Sequence, residues 1–241
     1  MIKKNKIAIL IAARSGSKRL PRKHFLKVSS KLRLIDLCVL RLKKVKFTNN
    51  IFICTTKKKE DDEFKKICKT HNIKLFRGST NNVLKRLIDC ATLNSVKTIV
   101  RITGDCPIID PKLIDHCLKI HFRKKLDYTT NTLNLSFPDG QDVEIINYDA
   151  LLRSQKKSKT NLNQEHVTPF IRKSKIFKKY NYKNKIDYSN RRWTLDNYDD
   201  YLYFNKVIKF FSPNIFFSWK DLISAEKKNL NLINIVERQN D

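Results

Sequence analysis

Apolar positions along this chain fall into two alternating patterns. Short, nearly unbroken runs occur at Ile7–Ala12, Ile51–Thr55, Lys74–Phe76 and Thr98–Thr103. Runs of this kind read as strands buried on both faces. Each is followed by a stripe with helical spacing. The stripes are Leu34, Ile35, Cys38, Val39, Leu42 and Val45; then Phe64, Ile67 and Cys68 behind Asp61 and Asp62; then Val83, Leu84, Leu87, Ile88 and Ala91; then Ile114, Cys117, Leu118 and His121. Asn81 or Asn82 is placed to cap the third helix, and Pro111 stands where a helix accepts proline, at its first position. Four strand–helix alternations predict an α/β fold with a mostly parallel sheet and helices on both faces. Such sheets bind ligands beyond the carboxyl ends of their strands, which places the loops after Ala12 and Thr103 at the expected site.

The second half is less regular. Asp127–Asn131, Val143–Ile146 and Arg191–Leu195 are strand candidates, with a turn at Phe137-Pro138-Asp139-Gly140. Asp199–Phe211 reads as a helix with Tyr201, Phe204, Ile208 and Phe211 inward. Residues 1–211 are expected to form one domain, and residues 212–241 a short helical extension of it.

Composition narrows the picture. The chain has 241 residues, 41% of them hydrophobic, enough for a sizeable core. No stretch approaches the roughly 18 apolar residues of a membrane helix, and the apolar run after the basic start is too short for a signal peptide. The expectation is a cytoplasmic protein with no membrane partner. The net charge of +28 raises the question of nucleic acid. The basic residues are dispersed, mostly Lys, and not interleaved with aromatics as in recognition motifs, so no dedicated nucleic-acid partner is expected. The same field would draw in anionic substrates. The six cysteines form no C-x-x-C pair and read as reduced, mostly core residues.

Glycine is scarce, with Gly16, Gly78, Gly104 and Gly140 only, against an average of roughly 7%. Two of the four sit in the loops singled out above. The first loop, Ala13-Arg14-Ser15-Gly16-Ser17-Lys18-Arg19-Leu20-Pro21-Arg22-Lys23, offers backbone N–H groups, hydroxyls and fixed cations, which is what a triphosphate needs. It matches neither the Walker A nor the G-x-G-x-x-G pattern. The second, Thr103-Gly104-Asp105-Cys106-Pro107, puts a carboxylate just past a strand. Asp105 suits a divalent cation, while Asp110 before Pro111 suits a helix cap.

The first loop resembles the R-x-G-S-x-R-L-P-x-K signature of the cytidylyltransferases that activate acidic sugars, such as acylneuraminate and 3-deoxy-manno-octulosonate cytidylyltransferase. The resemblance runs nearest to spore coat polysaccharide biosynthesis protein F and its relatives. Further matches follow in order: Phe76-Arg77-Gly78-Ser79, Val83-Leu84-Lys85-Arg86, Val100–Pro111, Phe137–Glu144, Glu165-His166-Val167-Thr168-Pro169 and Arg192-Trp193-Thr194-Leu195-Asp196. They cover roughly residues 6 to 210. The resemblance implies a Rossmann-like three-layer α/β/α nucleotide-diphospho-sugar transferase fold, often dimeric. It implies transfer of CMP from CTP to a sugar acid of the nonulosonic or ulosonic type, with release of pyrophosphate. By this similarity Arg14, Lys23 and Asp105 are catalytic. Ala13, Arg14, Ser15, Gly16, Ser17, Arg19, Lys23, Arg86 and Gly104 bind the nucleotide, and Asp105 and Asp196 hold Mg²⁺. Asp142, Glu144, Glu165 and His166 line the sugar pocket. His166 reads either as a general base or as a hydrogen-bonded structural histidine, and Arg86 either as a nucleotide contact or as a helix-surface arginine. The family usually has glycine between Pro21 and Lys23, where this chain has Arg22.

Overall fold

The computed structural model describes residues 6–30 and 32–234. The predicted alternation is present. Strands β1 (Ile7–Ala12), β2 (Ile51–Thr56), β3 (Lys74–Gly78) and β4 (Thr98–Thr103) pair in parallel, and between them run α1 (Leu34–Leu42), α2 (Glu63–His71) and α3 (Val83–Leu93). Helix α4 (Pro111–Arg123) follows, then β5 (Tyr128–Thr130) and β6 (Glu144–Asn147). The sheet has seven strands in the order β3-β2-β1-β4-β6-β5-β7, where β7 is Lys179–Asn181. Only β6 runs against its neighbours.

Successive residues of a strand face opposite ways, and β1 divides two cores accordingly. Ile7, Ile9 and Ile11 pack with α1, α2, α4 and the C-terminal helices; Ala8 and Leu10 pack with α3 and residues of β5 and β6. This explains why β1 carries no polar residue. Asn82 caps α3, its Oδ1 accepting the Lys85 N–H at 2.7 Å. Asp110 caps α4 and also accepts the Trp219 N–H at 3.1 Å, which makes it structural. All six cysteines are buried and unpaired by disulfides.

Several expectations are corrected. Arg191–Leu195 is extended but is not a strand; it touches Asp139 through a single parallel bridge at Arg192. Trp193 and Leu195 are fully buried, and that alternation imitates a strand. Three short helices between β6 and β7 were not foreseen: α5 (Tyr148–Lys157), α6 (Asn161–His166) and α7 (Pro169–Lys173). Helix α8 (Tyr198–Phe211) turns Tyr203, Phe204, Val207 and Ile208 inward and leaves Tyr201 and Phe211 half-buried. Helix α9 (Trp219–Lys228) packs against this layer. Arg41, which is buried, fastens the chain ahead of α9. Its guanidinium donates to the carbonyls of Ile109 at 3.1 Å, Ile215 at 2.6 Å and Phe217 at 2.8 Å. No helix among the described residues is long and apolar enough to cross a membrane.

Candidate active site

Strands β1 and β4 are adjacent, with Ala12 opposite Thr103. The chain turns toward β2 on one side of this pair and toward β6 on the other. Their carboxyl ends therefore form the crevice at which open α/β sheets bind ligands. Both glycine-bearing loops leave from it, and the Gly104 N–H donates to Ala12 O at 2.9 Å.

Lys23 is the centre of the arrangement. Its side chain is nearly buried, and Nζ lies 3.1 Å from Asp105 Oδ2, 3.0 Å from Asp196 Oδ1 and 2.7 Å from the Leu195 carbonyl oxygen. Burial alone would lower its pKa; the two carboxylates more than offset this and raise it. Burial likewise pushes the Asp105 carboxyl up, but the Lys23 ammonium, the Thr103 hydroxyl and His24 bring it below the ordinary carboxylate range. Asp196 also meets Arg19 at 3.1 Å and Arg192 at 3.0 Å. Asp200 braces the segment, accepting the N–H groups of Asp196 at 2.8 Å and Asn197 at 3.0 Å. The Leu195 N–H in turn donates to Asp105 O at 2.9 Å. Three distant stretches of chain thus meet within hydrogen-bond distance.

The first loop folds around the Ser15 carbonyl, which accepts the N–H groups of Ser17 at 2.9 Å and Arg22 at 3.1 Å. Gly16 is exposed, and Arg14 and Arg19 extend into solvent, with side chains 48% and 69% exposed; Arg19 lies beside Asp196 and Arg14 faces Glu165. Ala13 is buried at the loop's root. Ser15 departs from its expected phosphate contact. It turns inward, its N–H donating to Asp61 Oδ1 at 2.7 Å and its hydroxyl to Glu60 O at 3.0 Å. Asp61, read from sequence only as a helix opener, is the loop's anchor to β2.

Arg22 adopts a left-handed backbone conformation, φ 57°. That region costs a side-chain-bearing residue about 1–2 kcal/mol and favours glycine, which accounts for the family preference at this position. Here the guanidinium offsets part of that cost by pairing with Glu63 and lying 5.6 Å from the Phe25 ring centroid. Exposed contacts of this kind are worth up to about 1 kcal/mol each. We therefore expect Arg22→Gly to leave stability within about 1 kcal/mol of the parent. Arg22→Ala should be the less stable of the two, since it keeps the backbone cost and loses both contacts. Urea unfolding orders them, and an alanine variant as stable as the glycine variant would contradict this account.

Arg86 is neither a surface arginine nor turned to solvent. It is 1% exposed and donates to the carbonyls of Ser79 at 2.8 Å, Thr80 at 3.2 Å and Cys54 at 3.5 Å. It holds the loop after β3 against β2. Gly140 is structural: at φ 96° a side chain is strained, and its Cβ would lie 2.2 Å from the Trp193 carbonyl oxygen.

On the β6 side of the crevice lies a cleft of about 900 Å³. Arg101, Asp142 and Glu144 line it, with His166, Arg172 and Lys173 from the short helices and Leu133, Leu135 and Leu162 along its rim. Glu144 is buried and paired with Arg101; it also accepts from the Tyr128 hydroxyl and from Thr168 Oγ1, the latter at 2.6 Å. Burial raises its carboxyl pKa, and these partners bring it below the usual value. Glu144 is thus a charged brace of the cleft. His166 is exposed on the cleft wall, and Glu165 reaches toward Arg14 at 3.9 Å. Sequence reasoning missed Arg101, Arg172, Arg192 and Asp200; each acts through a partner that is distant in sequence or hidden within a helix turn.

Among the described residues no three His, Cys, Asp or Glu side chains gather into a metal site. Magnesium does not need three. It is commonly held by one or two carboxylates together with substrate phosphates. Asp105 and Asp196 already share one cation, the Lys23 ammonium, so the pair fits a dication that arrives with phosphate oxygens.

A mostly parallel sheet with a cation-rich loop and paired carboxylates at its switch point suits the phosphates of a nucleotide, as in nucleotidyltransferases. The cytidylyltransferase family profile matches residues 8–218, and the chain belongs to that family. It is 35% identical over 173 residues to the spore coat polysaccharide biosynthesis protein SpsF of Bacillus subtilis, covering 70% of each chain. A cytidylyltransferase structure from Leptospira borgpetersenii superposes with a TM-score of 0.91 at 33% identity, covering 97% of this chain and 99% of that one. CMP:2-keto-3-deoxy-manno-octonic acid synthetase, complexed with CTP, shares the fold with a TM-score of 0.65 at 14% identity, covering 85% and 99%.

Proposed function

We propose that this enzyme transfers CMP from CTP to a sugar acid, of the nonulosonic or ulosonic type, for surface polysaccharide biosynthesis. The observation that carries the reading is Lys23, seated between Asp105 and Asp196 at the switch point and beside a cleft walled by Arg101, Arg172 and Lys173. A triphosphate in the crevice meets Arg14, Arg19, Lys23 and the exposed backbone of the first loop. The acceptor occupies the cleft, where Arg101 is already paired with Glu144 and Arg172 and Lys173 are the cations that suit a carboxylate. Its hydroxyl oxygen attacks the α-phosphorus; the bond to the bridging oxygen breaks, and pyrophosphate leaves with that electron pair. The hydroxyl proton passes to His166 or to water. Reactions of this class depend mainly on positioning and charge neutralisation. Asp105 and Asp196 would hold Mg²⁺, which neutralises charge on the phosphates when bound. Lys23 and Arg19, which now pair with the carboxylates, are placed to turn to phosphate oxygens as the nucleotide enters. The reading fits a cytoplasmic homodimer, where CTP is at hand.

The test is Mg²⁺-dependent pyrophosphate release from each of the four nucleoside triphosphates against a panel of nonulosonic acids, ulosonic acids and sugar phosphates. Release with CTP and one class of acid is expected. Release only with sugar phosphates, or with no pairing at all, would overturn the reading.

A further inference from the structure

Asp105 is useful only if its carboxylate is aimed. Its own peptide oxygen is held by the Leu195 N–H. The peptide on its other side, Gly104–Asp105, is planar, so whatever fixes the Gly104 carbonyl fixes the direction in which the Asp105 Cα leaves. The group that fixes it is His24. Its Nδ1 lies 3.1 Å from Gly104 O, and because a carbonyl oxygen only accepts, Nδ1 carries the hydrogen. The ring is 3% exposed and packs against Phe64, 6.0 Å between centroids. It also fills the space beside Gly104, since a Cβ there would come within 3.0 Å of His24 Cε1 and 2.9 Å of the Ala13 Cβ. A side chain at residue 104 would thus meet both the Ala13 methyl and the imidazole. His24 follows Lys23 directly, so one short turn supplies both the counter-ion of Asp105 and the brace behind it.

We infer that His24 is a positioning residue of the reaction: its Nδ1–H holds the Gly104 carbonyl and thereby aims the Asp105 carboxylate at Lys23 and at the divalent cation that comes with the nucleotide. The inference rests on the metal-ligand reading of Asp105 above. His24 is buried behind the loop, so it acts through Gly104 and not on a bound ligand. Groups one bond removed from a metal ligand commonly change metal affinity or activity by about 10–100-fold when replaced.

The experiment compares His24→Ala, His24→Asn and His24→Gln with the parent. Mn²⁺ binding is followed by electron paramagnetic resonance in the presence of α,β-methylene-CTP, alongside kcat, KM for CTP and the melting transition. Asparagine places an amide N–H₂ near the position of Nδ1; glutamine places it farther out. The alanine variant should bind Mn²⁺ about 10–100-fold more weakly and lose kcat to a similar extent, with KM for CTP within about 3-fold. Asparagine should restore most of both, and glutamine should not. An alanine variant that folds and binds Mn²⁺ like the parent overturns the inference. So does an equal loss in all three variants, which would mark the ring as packing alone. If alanine fails to fold, the asparagine–glutamine contrast decides by itself. Parent protein that takes up no Mn²⁺ with the analogue overturns the metal reading and this inference together, whereas failure in the variants alone leaves the metal reading standing.

Discussion

Replacing Lys23 with methionine is expected to slow CMP transfer severely while making the nucleotide-free protein a better binder of divalent metal. In the parent one ammonium bridges Asp105 and Asp196 and also satisfies the Leu195 carbonyl. A dication entering alone would have to displace that ammonium and strand it near the positive charges of Arg19 and Arg192. With nucleotide present the ammonium has phosphate oxygens to move to. Methionine is unbranched and only one atom shorter than lysine, and it removes the charge, leaving two carboxylates facing one another. Stripping the partner from a buried pair costs about 3–5 kcal/mol; here the cost is smaller, because both carboxylates are partly open to water and Asp196 keeps two arginines. Turnover should fall about 10³-fold, as when one fixed charge-stabilising group is lost. Mn²⁺ without nucleotide should raise the melting temperature of Lys23→Met and leave that of the parent nearly unchanged. An identical response of the two proteins to Mn²⁺ would remove Lys23 from this counter-ion role.

Asp105→Asn is the second large effect. The amide has nearly the same shape; it removes the charge and replaces one oxygen with a donor, while its remaining carbonyl oxygen can still accept from Lys23. The backbone clamps on residue 105 do not involve its side chain, so the variant should unfold cooperatively within a few degrees of the parent. Its pyrophosphate release should nevertheless drop by about 10²–10³-fold, the range for a single preorganised electrostatic group. The protein would then be folded, able to bind CTP and slow. Turnover within a factor of a few of the parent would show that Asp105 is not a ligand of the working metal.

The first half of the fold was legible because β1, β2 and β4 are buried on both sides and its helices on one. Those two periodicities leave different marks, as Ile7–Ala12 and the stripe of α1 show. The second half was not. Helices α6 and α7 are too short to show a stripe, and β7 is an edge strand of three half-buried residues with no alternation. Arg191–Leu195 misled in the opposite direction, because its inward Trp193 and Leu195 alternate without a partner strand. At the site, the residues that face solvent or phosphate carried their own signal in charge and glycine. Those that work from behind did not. Asp61 acts on Ser15 from 46 positions away, and His24 on Gly104 from 80, so neither had a local pattern to reveal it. Arg86 carried a misleading one, since its place near the start of α3 gave no hint of the three carbonyls it donates to. Arg22 was the reverse: its oddness was visible, and the backbone conformation supplies the reason.

Lys23 reaches across 82 positions to Asp105 and 173 positions to Asp196. A chain emerging from the ribosome can complete the sheet through β4 and still own only part of this crevice. The last carboxylate arrives with the segment leading into α8, when most of the protein has been made. On the proposed role of Asp196, chains cut short before it are expected to release no pyrophosphate from CTP.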